Sequence, residues 1–185
     1  MKKFELTTNT KMFLGKKLFQ IKALISFGDV KAGELGGYIE KEENLSQTGD
    51  AWVFDNAWVS GDARVSGNAW VTDNARVTDN ARVFDNAWVS DNARVSDNAR
   101  VSGDAWVSDN ACYTTIKGFG REYRTTTFFR CKDGKVRVQC GCFYGDLKEF
   151  RAIVKKTHGE SKKAKEYLMI ADLMELHFEE NENDK

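Results

Sequence analysis

The sequence is poor in histidine: there are two, His158 and His177, and none in the first 157 residues. Imidazole is the side chain best poised to accept a proton near neutral pH, so most of the chain lacks the commonest general base. Net charge is also missing. With 28 basic against 28 acidic residues, no global field draws a nucleic acid or an anionic membrane. No continuous apolar segment follows the lysines at the start, because Lys16, Lys17, Gln20 and Lys22 interrupt it. Neither an export signal nor a membrane span is therefore expected; a cytoplasmic protein is, with Cys112, Cys131, Cys140 and Cys142 reduced. Cys140-Gly141-Cys142 has neither the C-x-x-C spacing nor the second ligand pair of a structural zinc site. No metal and no cofactor is expected.

What the chain does have is a repeat. From Ala51 to Ala111 a unit of the form Ala-(Trp/Arg)-Val-(Ser/Thr/Phe)-(Asp/Gly)-(Asn/Asp) runs ten times without insertion. Ala and Val lie two apart, so in an extended chain both point to one face and their neighbours to the other. The closing Asp-Asn, Gly-Asp or Gly-Asn pair is turn chemistry, since Gly and Asn tolerate a positive φ and Asp or Asn bonds local backbone. Each hexapeptide thus reads as one short strand and one corner. The outward residue after Ala sorts by type every third unit. Trp52, Trp70, Trp88 and Trp106 form one column; Arg64, Arg82 and Arg100 a second; Trp58, Arg76, Arg94 and Cys112 a third. A period of 18 rather than 6 predicts a triangular prism of three strands per coil, its coils stacked at about 4.8 Å.

Ala63-Arg64-Val65-Ser66-Gly67-Asn68 and its copies resemble the hexapeptide-repeat left-handed β-helix, the fold of the trimeric acyltransferases. The resemblance implies left-handedness and a trimer, which spacing alone does not. The expected architecture is mainly β: a left-handed triangular parallel β-helix over 39–116, an N-terminal β cap over 1–38 and a C-terminal ββαα module over 117–178. A disordered polar tail is expected over 179–185. Ile39 and Leu45 fall in the Ala51 register at six-residue steps, which gives about four coils. Phe19, Ile21 and Ala23 alternate with polar residues, as in a half-buried strand.

Beyond Ala111, Thr125–Cys131 and Lys135–Phe143 read as a hairpin around Asp133-Gly134. Asp146 and Glu149 form a capping box before the apolar stripe Leu147, Phe150, Ile153 and Val154, with His158 closing that helix. A second helix begins near Ser161 with Ala164, Tyr167, Leu168, Ala171, Met174 and Phe178 inward. The segments 141–150 and 164–167 resemble the tails of bacteriophage and prophage solenoid proteins, a group that implies no catalytic residue here.

Acyltransferases of the resembling fold use a histidine in or beside the solenoid, and its metal-dependent carbonic anhydrases use three. Neither pattern is present, so no catalytic residue is assigned. Asp55, Asp73, Asp91 and Asp109 should stack beside Asn56, Asn74, Asn92 and Asn110. Like charges about 4.8 Å apart repel by about 0.9 kcal/mol per pair even in water; solvation and nearby Arg relieve this more simply than bound calcium. Ser90 reads as an exposed position. The Trp column reads as an exposed aromatic ladder, buried in a homotrimer or occupied by a ligand. The candidate binding residues are Trp52, Trp70, Trp88, Trp106, Trp58, Arg64, Arg76, Arg82, Arg94 and Arg100. The repeat as a whole is acidic, with five Arg against nine Asp over 51–110, which disfavours nucleic acid. The leading expectation is a non-enzymatic, phage-type protein that binds a host partner or a small anionic ligand such as a nucleotide, with inhibition of host defence by sequestering a nucleotide signal as one form of that binding. An acyltransferase-like enzyme and a structural or assembly protein are the alternatives.

Overall fold

The computed structural model describes residues 1–120 and 122–179. The polar tail lies outside them, apart from Glu179. Three strands open the chain, β1 (Phe4–Phe13), β2 (Lys16–Ala23) and β3 (Leu35–Ile39). Ten strands of two residues each follow: β4 (Trp52–Val53), β5 (Trp58–Val59), β6 (Arg64–Val65), β7 (Trp70–Val71), β8 (Arg76–Val77), β9 (Arg82–Val83), β10 (Trp88–Val89), β11 (Arg94–Val95), β12 (Arg100–Val101) and β13 (Trp106–Val107). Two residues are what a hexapeptide leaves once its corner is turned. Their parallel pairing follows the 18-residue step, with Trp52 beside Trp70, Arg64 beside Arg82 and Trp58 beside Arg76. The result is a three-sided solenoid of three parallel sheets. Every repeat Ala and Val from Ala51 to Val107 is buried in its axis.

At nine of the ten corners, all but that at Asp109, the first residue of the closing pair takes the left-handed conformation. Gly61, Gly67 and Gly103 do so, and so do Asp55, Asp73, Asp79, Asp85, Asp91 and Asp97. The Asp side chains at this place act as acceptors. The hydroxyls of Thr72, Thr78, Ser90 and Ser96 donate to the Asp that follows each. The amides of Asp91, Asp97 and Gly103 donate to the carboxylates of Asp73, Asp79 and Asp85 one coil earlier. These bonds spread the stacked negative charge over backbone dipoles. They also account for Ser90, expected outside but buried, its hydroxyl 3.0 Å from Asp91 Oδ2.

The first coil departs from the expected register. Ile39 pairs with Val59 and Leu45 bridges to Val65, so both occupy the Val position, not the Ala position. The corner after Leu45 is longer than the others, and Gln47 within it accepts from the amide of Lys3 at 2.8 Å. The β1–β2 hairpin continues one solenoid face, in the order β1-β2-β3-β5-β8-β11. On β2, Ile21 and Ala23 are buried as expected, but Leu18 rather than Phe19 completes the set, because the pairing with β3 is irregular between Gln20 and Lys22. Side chains close this end. Lys3, 2 % exposed, donates to the carbonyls of Ala51 and Gly49, and buried Asn44 donates to those of Gly61 and Ala63.

At the other end Cys112 does not join the third column. It lies in a 3-10 turn, Asn110–Cys112, and the Asn110 side chain accepts from the amide of Arg94 where a next strand would have paired. Tyr113 to Ile116, expected in the solenoid, belong to β14 (Tyr113–Phe119). With β15 (Arg124–Arg130), β16 (Val136–Cys140) and β17 (Phe143–Asp146) it forms an antiparallel sheet of four strands, so the expected hairpin is its middle pair. Phe143 opens a strand instead of closing one, because the chain turns at Gly141, whose φ is positive. Helices α1 (Leu147–His158) and α2 (Lys162–Phe178) follow, with the capping box at Asp146 and the N-cap at Ser161 both formed. Phe150 and Val154 anchor α1, whereas Ile153 is exposed. Strand β15 lies over the last coil: Phe129 joins the solenoid core and the Thr127 hydroxyl accepts from the amide of Arg100.

Val77 is fully buried in a middle coil, so Val77→Asp is expected to abolish cooperative unfolding in a circular-dichroism melt, an unpaired buried carboxylate costing several kcal/mol. Burial pushes the Lys3 ammonium down from 10.5 to about 8 despite the carboxylate of Asp50. Between these values the unfolded chain holds a proton that the native chain has lost, so stability rises with pH there. Urea titrations from pH 8 to 10.5 should show that rise relative to Lys3→Met, and none of it below pH 8.

Candidate functional site

The structure divides the ten candidate residues into those that hold the fold and those left open. The Trp column is not an open ladder. Trp52 is wholly buried, with the rings of Phe4 and Phe27 at 6.2 and 5.3 Å. Trp70 is half-buried between Phe54 at 5.1 Å and the edge-on Trp88 at 5.6 Å, and the Lys132 ammonium stands 5.3 Å from the Trp88 ring. Trp106 alone of the column is open, at 49 % exposure. The expectation of an exposed row fails because the N-terminal cap seals one end, while outward Phe54 and the C-terminal Lys132 cover its middle.

The third column is likewise structural. Trp58 is buried beneath Phe13, 4.7 Å away, and the Arg76 guanidinium lies 4.8 Å from Phe13 and 5.8 Å from Trp58. Arg76 thus pins the tip of the hairpin to the solenoid by cation–π attraction. Arg94 stays exposed, its carbonyl accepting from the Tyr113 hydroxyl.

The second column is different. Arg64 and Arg82 are exposed and Arg100 is half-buried, in register on β6, β9 and β12. All three line one recess of about 490 Å³ with Ser66, Phe84, Glu43 and Asp85. Among the described residues none of the three forms a salt bridge. Arg100 is held by packing, its guanidinium 5.4 Å from the Phe84 ring and its Nε buried without a partner. Coil stacking sets the three strands that carry these cations about 4.8 Å apart, close enough for neighbouring charges to repel. Such a row favours an anion that accepts several charge-assisted hydrogen bonds at once.

Little else offers chemistry. His158 stacks on Tyr167 at 5.9 Å and His177 meets Phe178 at 4.9 Å, both far along the chain from the solenoid. Burial pushes the Cys131 thiol up to about 11 and the neighbouring Tyr144 hydroxyl up to about 12, so neither ionises near neutral pH. Among the described residues no group of three His, Cys, Asp or Glu could hold a metal ion, and no helix is long and apolar enough to cross a membrane. Phe84 escaped the reading of the sequence although a signal existed: Phe replaces Ser or Thr at the fourth position of the repeat only at 54 and 84.

Residues 57–73 and 93–109 match the YdcK beta solenoid repeat. Over 50 residues, 26 % of this chain, the sequence is 46 % identical to the uncharacterized acetyltransferase YdcK of Escherichia coli (strain K12). That alignment spans 15 % of the relative's length. The residues that match the repeat model all lie within the solenoid.

The division of the Trp column is open to measurement. Trp52→Ala should lower the unfolding free energy by about 3–5 kcal/mol, as for a fully buried aromatic, whereas Trp106→Ser should cost about 1 kcal/mol or less in the same urea titration.

Proposed function

We propose that this protein is a non-enzymatic binding protein whose Arg64, Arg82 and Arg100 face holds a small anionic ligand. The carrying observation is that the three guanidinium groups stand in register over one recess with no salt bridge among the described residues. The repeat carboxylate that lines the recess, Asp85, accepts from the amide of Gly103 one coil on. A ligand with several linked negative charges fits the row better than a single charge, because each coil adds one donor fork. A phage origin, with a host factor or a signal of host defence as target, belongs to the same proposal and rests on the resemblance of residues 141–150 and 164–167. The homotrimer is likewise proposed, for the surface around Trp106 and the half-buried Trp70 and Trp88.

A second reading, acyl transfer, is favoured by the name of the Escherichia coli relative. Against it stands the solenoid without histidine. Turnover of acetyl-CoA that Arg82→Ser abolishes would replace the first reading with this one.

Calorimetric titration with inorganic tripolyphosphate tests the binding reading. Binding should weaken about tenfold in Arg82→Ser, a loss of one charge-assisted pair, and should weaken with added salt. Arg94→Ser, on another face, should leave it unchanged. No binding by the wild type at low salt would overturn the proposal.

A further inference from the structure

The Arg recess does not end at Arg100. A second recess, about 670 Å³, is lined by Asn98, Lys117, Tyr123, Arg124 and again Arg100. The two share that one side chain, at the place where the C-terminal sheet is fastened to the solenoid. The fastening is direct: the amide of Arg100 donates to Thr127 on β15, the strand that begins with Arg124. The combined lining carries five cations, Arg64, Arg82, Arg100, Lys117 and Arg124, against two carboxylates, Glu43 and Asp85. None of the five cations forms a salt bridge among the described residues.

Tyr123 is the unusual member. It is 70 % exposed and its φ is +50°, a left-handed conformation that is costly for a bulky side chain. An aromatic ring held out beside Lys117 and Arg124 offers a face for a flat, electron-poor ring to stack on. From Arg64 to Arg100 the row covers two coil steps, about 10 Å, which suits a chain of linked phosphates rather than one phosphate.

On the reading that the Arg face binds anions, we propose that the two recesses form one bipartite site for a nucleoside polyphosphate. The phosphates lie along Arg64, Arg82 and Arg100, and the base stacks on Tyr123 between Lys117 and Arg124. The site is then built jointly by the solenoid and the C-terminal module, and neither alone supplies both parts.

Titration of the full chain with ATP and with inorganic tripolyphosphate separates this proposal from the one it rests on. ATP should bind about tenfold more tightly than tripolyphosphate, the size of one base stacked on an aromatic side chain. Tyr123→Ala should remove that margin while leaving tripolyphosphate binding intact, and Tyr123→Phe should restore it. Arg82→Ser should weaken both ligands alike. Equal affinity of the wild type for the two, or an ATP margin that survives Tyr123→Ala, overturns the bipartite site and leaves the anion face standing. Failure of both ligands to bind overturns the anion face itself.

Discussion

The structure depends on hydrogen bonds that run from coil to coil. A strand of two residues has no stability of its own, so each coil is held by the ladder to the coils beside it: Trp52 N to Ala69 O at 3.0 Å, Phe54 N to Val71 O at 2.8 Å, Trp70 N to Ala87 O at 2.9 Å and onward. Alanine and valine in the axis are small enough for these short sides, and the corner carboxylates add a second set of bonds in the same direction. A ladder of this kind has two open ends. Unpaired backbone groups there are costly to bury and, if left exposed, invite another chain. At the N-terminal end Lys3, Asn44 and the β1–β2 hairpin cover them; at the C-terminal end Asn110, Thr127 and β15 do.

The same ladder dictates the surface. Parallel pairing in register places like above like, which suits indoles and crowds cations. Where aromatic residues stack, the end modules exploit the column: Phe4 and Phe27 close over Trp52, and Phe13 lies between Trp58 and Arg76. Where three arginines stack, repulsion is left over and a recess stays open above them. Covered and open columns therefore share one repeat and differ in what the terminal modules bring to them.

Much of the solenoid is legible in the residues. The spacing of Ala and Val, the turn pairs and the 18-residue sorting of Trp and Arg predict three sides, register and core, and the structure has all of them. The helices are legible at their caps, Asp146 and Ser161, because capping is a local matter of a side chain and amides three residues on. Less legible is whatever depends on a distant segment. Leu45 looks like an Ala-register residue until the longer corner with Gln47 is seen to bind Lys3. Tyr113 looks like a late strand of the solenoid until Phe129 pairs with it. Ser90 looks exposed until the left-handed turn brings the Asp91 carboxylate to its hydroxyl.

By itself the sequence determined the repeat and hence the columns, since a strict period leaves each residue type one face to occupy. Only the tertiary structure decided which columns remain available. Trp52 and Trp106 hold equivalent places in the repeat, yet one is sealed and the other open, because burial depends on the non-repeating ends that pack against them. The Arg64, Arg82 and Arg100 column meets Lys117, Tyr123 and Arg124 for the same reason. Contacts between segments far apart in the chain are set by how the ends fold back, and a periodic pattern carries no information about that.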